Sequence, residues 1–88
     1  MLEKIVKIEN KLGLHARAAA KIVTLSSKYK SKITIFNGKK SADAKSIMKI
    51  LMLSAPKGTL LKVKASGEDE SKAIIELEKL INSKFKEE

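Results

Sequence analysis

The sequence predicts an α+β domain, an open-faced two-layer sandwich in the order β-α-β-β-α-β-α. Three observations carry this expectation. Four short segments alternate apolar and polar residues, three others repeat apolar residues at helical spacing on one face only, and no Pro-, Gly- or Ser-rich linker divides the 88 residues. Helices with a single apolar stripe are satisfied by lying together on one side of one sheet, which leaves the other sheet face to solvent.

The elements follow in order. Val6 and Ile8 alternate with Lys7 and Glu9, which predicts a strand over residues 2 to 8, followed by a loop from Asn10 to Leu14 with Gly13 as its flexible point. From Ala16 to about Ser27, Ala19, Ile22, Val23 and Ser26 recur at helical spacing, while Arg17, Lys21, Thr24 and Lys28 fall on the opposite face. Ile33 and Ile35 alternate with Lys32 and Thr34, and Asn37-Gly38 supplies a hairpin turn into a short strand near residues 40 to 44. Ser46 is placed to cap a short helix over residues 47 to 53, stopped before Pro56 and Gly58. Leu61, Val63 and Ala65 alternate with lysines and serine as a fourth strand. After Gly67, the acidic run 68–70 suits a helix start, and Ala73, Ile74, Leu77, Leu80 and Ile81 form the last buried stripe.

Composition narrows the function. With no cysteine there is no disulfide, thiolate nucleophile or Cys-ligated metal; no cofactor or metal site is expected. No apolar run approaches the roughly 20 residues that cross a bilayer. The opening MLEKIVKIEN does not resemble a signal peptide, so membrane insertion is not expected and the cytoplasm is the expected location. Residues 1 to 66 carry 15 Lys plus Arg against 3 Asp plus Glu, whereas residues 67 to 88 carry 4 against 7. The basic surplus belongs to the body of the chain and favours an acidic protein, a phosphorylated ligand or nucleic acid. Stacking rings for single strands are scarce, with only Tyr29, Phe36 and Phe85, which weakens the nucleic-acid reading.

One stretch concentrates chemistry. GLHARAAA, residues 13 to 20, holds the only histidine and the only arginine, where a loop turns into an alanine-rich helix. The unpaired backbone N–H groups of Ala16, Arg17 and Ala18 then point past the imidazole, and the positive end of the helix dipole stabilises an anion placed there. A neutral His15 with a free lone pair is a phosphoryl acceptor in such a setting, and the Arg17 guanidinium can hold two oxygens of a transferring phosphoryl group. Gly13, Ala16 and Ala18 are expected to leave the ring sterically open. On the local pattern alone, a capping or surface histidine is the commoner reading. Ser46 likewise reads first as an ordinary N-cap. In the short helix, Ile47, Ile50 and Leu51 are expected to face the core and Met48 and Met52 to stand outside as an adaptable docking surface, with loosely packed core as the alternative for each methionine.

GLHAR at residues 13 to 17, KSIM at 45 to 48, an APKG turn at 55 to 58 and ASGEDE at 65 to 70, in this element order, resemble the HPr family of histidine-containing phosphocarriers of the bacterial phosphoenolpyruvate:sugar phosphotransferase system. The likeness spans essentially the whole chain, read as one domain over residues 1–88. It implies a four-stranded antiparallel sheet of order 1-4-2-3 with three helices on one face, and a carrier rather than an enzyme. It implies that His15 accepts a phosphoryl group on Nδ1 from enzyme I and passes it to IIA domains of sugar permeases, assisted by Arg17. It implies regulatory phosphorylation of Ser46 by an HPr kinase/phosphorylase, read by a catabolite-control regulator, and partner docking through Ile47, Met48, Leu51 and Met52. A monomer is expected. The family motif usually continues with proline where this chain has Ala18, and glycine is common where Lys49 stands. A regulatory paralogue acting by docking, or a basic nucleic-acid-binding domain, are the alternative readings.

Overall fold

A computed structural model describes residues 1–86. The strands are β1 (Leu2–Lys7), β2 (Lys32–Asn37), β3 (Lys40–Asp43) and β4 (Leu60–Ser66); the helices are α1 (Ala16–Ser26), α2 (Ile47–Leu51) and α3 (Glu70–Asn82). The sheet is antiparallel throughout with order β1-β4-β2-β3, as expected. Register follows the alternation. Leu61, Val63 and Ala65 of β4 turn inward beside Val6 of β1 and Ile33 and Ile35 of β2, all buried under the helices. The opposite face presents Glu3, Lys62, Lys64, Thr34 and Phe36, the Lys62 ammonium sitting 5.3 Å from the Phe36 ring centre.

The helices bury Ala18, Ala19 and Ile22 from α1, Ile50 from α2, and Ala73, Ile74, Leu77 and Ile81 from α3. At about 25 cal/mol per Å² of apolar surface, this shared core is the dominant stabilising term. α3 lies on β1 and β4, α2 on β3, and α1 packs against both other helices.

Three local expectations are corrected. The β2–β3 hairpin turns on Gly38-Lys39, not Asn37-Gly38, because Asn37 still pairs with Lys40 and sends its side-chain amide to the Leu53 carbonyl at 2.8 Å. Gly38, at φ +61°, leads the turn pair as a type II′ turn requires. α2 stops at Leu51, where Leu53 and Ser54 fold into i→i+3 turns that bury Leu53. Ile47 stands outside instead of facing the core, since side chains lean toward a helix N-terminus and the first residue overhangs the end. The acidic run starts α3 as expected: Asp69 is its N-cap by position, while its carboxylate accepts from the N–H groups of Lys30 and Ser31 and from the Ser31 hydroxyl, tying α3 to the α1–β2 loop.

The chain also carries a turn that alternation and helical spacing did not announce. Lys84, Phe85 and Lys86 follow α3 with φ of 57°, 57° and 58°, a left-handed turn unusual for non-glycine residues. Phe85 is fully buried, and its carbonyl accepts from the Lys21 ammonium. Burial of that ring offsets the backbone strain.

Candidate phosphoryl-acceptor site

The loop before α1 is built by a polar side chain in the core. Asn10 continues the inward parity of Val6 and Ile8, is fully buried, and donates from its amide to the Gly13 carbonyl at 2.7 Å. Its inward parity is the signal the sequence offers for this role, one that the loop assignment of residues 10 to 14 leaves unused. Gly13, at φ +65°, presses against the segment after α2, where Leu14 N–H donates to the Ala55 carbonyl at 2.8 Å. A methyl group at Gly13 would stand 2.6 Å from that same carbonyl oxygen. Its role is therefore close approach, not flexibility, and the expectation that Gly13 and Ala18 hold open the space around the ring gives way: both are buried, Ala18 within the core.

His15 is the N-cap of α1, with extended backbone at φ −86° and ψ −178°. Its Nδ1 accepts a hydrogen bond from the Arg17 backbone N–H at 3.3 Å. Accepting there gives the lone pair to Nδ1 and places the proton of the neutral ring on Nε2. Nε2 is buried, whereas the Nδ1 edge lies at the exposed helix start. The ring thus offers one nitrogen to an incoming group. Ala16 and Arg17 are exposed beside it, and with Ala18 they contribute the first three N–H groups of the helix, the anion-binding end of the dipole.

Ser46 caps α2, its hydroxyl accepting from Lys49 N–H at 3.4 Å while its own N–H donates to the Asp43 carbonyl at 3.0 Å. His15 and Ser46 therefore occupy the starts of two helices that pack together. On α2 and at its C-terminal end, Met48 is 72%, Met52 65% and Ile47 41% exposed, while Leu51 is half-buried against the core. Leu12, on the His15 loop, is 73% exposed and escaped the sequence reading, because neither the strand nor the helix period applies to it. Among the described residues, no group of three or more His, Asp or Glu is placed to hold a metal ion. Nor, among these residues, is any helix long and apolar enough to cross a membrane.

An open-faced sandwich of sheet order 1-4-2-3, with a histidine capping its first helix through Nδ1 and an arginine two residues on, defines the class of histidine phosphocarriers. The family model for the HPr component phosphorylation site of the phosphotransferase system matches residues 2–83, and the chain belongs to that family. It is 43% identical over 88 residues to the phosphocarrier protein HPr of Xylella fastidiosa, covering 100% of this chain and 99% of that one. Among solved structures it resembles HPr-C-His of Thermoanaerobacter tengcongensis, at 46% identity and a TM-score of 0.96 over 100% of this chain and 99% of the other. It also resembles an HPr dimer from the same organism, at 46% identity and a TM-score of 0.77 over 97% and 98%. Members of this family are phosphocarriers of the phosphotransferase system rather than enzymes, and membership implies exchange with that system's enzymes.

Proposed function

We propose that residues 1–88 act as one cytoplasmic domain that takes a phosphoryl group on Nδ1 of His15 from enzyme I and delivers it to IIA domains of sugar permeases. The observation that carries this reading is the pairing of a buried Nε2 with an Nδ1 lone pair held at the start of α1. In the forward step that lone pair attacks phosphorus, the Nδ1–P bond forms, and the bond from phosphorus to the donor breaks in line with it. The proton on Nε2 stays in place, so no base is needed.

The Arg17 N–H supports the reaction at no net loss of hydrogen bonding. It points at Nδ1 before transfer, and once phosphorus occupies that lone pair it turns to a phosphoryl oxygen, joined by the N–H groups of Ala16 and Ala18. The Arg17 guanidinium takes the charge spread over the equatorial oxygens. Reversal, with an acceptor group of the IIA domain attacking phosphorus as the Nδ1–P bond breaks, discharges the carrier.

Ile47, Met48, Leu51 and Met52 form the surface through which partners dock, and methionine's adaptable side chain suits a carrier that meets several of them in turn. Ser46 is the site of a second, regulatory phosphorylation by an HPr kinase/phosphorylase. A phosphate there sits at the start of α2 and alters the charge of the docking surface without unfolding the helix, in a form a catabolite-control regulator can read. The carrier works as a monomer. Incubation with phosphoenolpyruvate and enzyme I tests the central claim: acid-labile, base-stable phosphate is expected on the wild type and absent from His15→Ala. An unlabelled wild type rules it out.

A further inference from the structure

A groove of about 640 Å³ runs between α1 and α3, beginning at Arg17. Its rim carries Arg17, Lys21 and Lys28 from α1, Lys79 from α3 and Lys86 after it, against the single carboxylate of Glu76 among the described residues. Lys21 is held by the Phe85 carbonyl and Lys79 lies 3.5 Å from Glu76, so part of this charge is fixed at the groove wall. The floor is apolar, with Ala20, Leu25 and Leu80. None of these residues except Arg17 has a part in the phosphoryl site.

We propose that this groove binds a nucleoside polyphosphate, its phosphates against the rim of cations and its base on Leu25 and Leu80. Three features select that chemistry. The volume falls within the roughly 300–1,000 Å³ of small-molecule sites, far more than an inorganic anion fills. The surplus of four positive charges on the rim matches a triphosphate. The apolar floor gives a flat heteroaromatic ring a surface to cover. Because Arg17 belongs to both sites, a nucleotide in the groove withdraws the guanidinium from the transferring phosphoryl group and slows the transfer. This regulatory consequence rests on the acceptor role of His15; the binding itself does not.

Calorimetry on the unphosphorylated full chain decides it, with ATP as the probe and inorganic tripolyphosphate as the probe of charge alone, both without magnesium. Saturable one-to-one binding of ATP is expected, at least ~10-fold tighter than tripolyphosphate, and at least ~10-fold weaker in Lys28→Glu/Lys79→Glu. That double variant should accept phosphate from enzyme I at the wild-type rate, and ATP should slow the wild type but not the variant. No saturation by about 5 mM ATP, equal affinity for tripolyphosphate, or indifference to the double substitution overturns the proposal. ATP binding as described in a protein that enzyme I cannot label would leave the groove standing and remove the His15 reading.

Discussion

Gly13 and Ala55 meet so closely that the hydrogen-bonded loop before α1 has no room for a side chain: a Cβ at Gly13 would lie 2.6 Å from the Ala55 carbonyl oxygen and 2.8 Å from Pro56 Cα. Both obstacles are backbone, and φ there is +65°. Gly13→Ala should therefore cost more than the conformational term alone, about 3 kcal/mol in urea denaturation. Gly38→Ala supplies the control, since Gly38 has a similar φ of +61° and open space where the methyl would go. Its cost should stay near 1 kcal/mol. Equal losses in the two variants would show that the contact with Ala55 carries no weight.

Asp69 makes stability depend on pH in a defined window. The Ser31 hydroxyl first, and then the Lys30 N–H, hold its carboxyl at about 2, below the usual 3.8. Between those values the unfolded chain binds the extra proton, so stability rises with pH there. The contribution is fully present above the usual carboxylate range and is lost as pH falls through about 2. Asp69→Asn should accordingly be less stable than wild type at pH 6, with the difference closing near pH 2. In Ser31→Ala the Asp69 carboxyl, followed by NMR, should titrate closer to 3.8. A constant difference across pH would contradict the assignment.

How much of this was legible beforehand follows from the length scale of each cause. Strand and helix periods reveal which side of an element faces the core, so the element order and the stripe from Ala73 to Ile81 could be read directly. His15 was legible as a helix cap beside Arg17, because capping is a local matter. Contacts between segments distant in sequence were not. Nothing near Gly13 announces Ala55, and nothing near Asp69 announces Ser31, 38 residues away. The hairpin slipped by one residue for the same reason: Asn37 is a strong turn former on its own, and the Leu53 carbonyl holds its side chain in the strand. Ala18 reads as a departure in the motif, but only the fold shows that its methyl group lies in the core.

Phe85 tests whether the left-handed turn after α3 is held by its ring. The side chain is fully buried, and its neighbours Lys84 and Lys86 share the positive φ. Phe85→Ala should lower stability by about 3 kcal/mol, at the low end for a buried phenylalanine because release of the turn relieves backbone strain. Amide hydrogen exchange should report the loss locally, with faster exchange at Lys86, whose N–H donates to the Ser83 carbonyl at 3.0 Å. Unchanged protection there, alongside a global loss, would place the ring's contribution in the core alone.

The proposed docking and transfer roles can be separated kinetically, because they are assigned to different side chains. Met48 is 72% exposed on α2, and Arg17 is exposed beside Nδ1, so substitution at either should leave folding stability within about 0.5 kcal/mol. Met48→Asp places a negative charge in the apolar surface proposed for docking and should raise the KM of enzyme I for this protein by ~10-fold with little change in kcat. Arg17→Ala removes the cation proposed to act on charge developed during transfer. It should lower kcat by roughly 10- to 100-fold at nearly constant KM. Arg17→Lys should recover only part of the loss, since an ammonium cannot take two phosphoryl oxygens in the paired geometry of a guanidinium. If both variants changed KM alone, Arg17 would belong to the docking surface, and His15 would transfer its phosphoryl group with the helix N–H groups as its sole support.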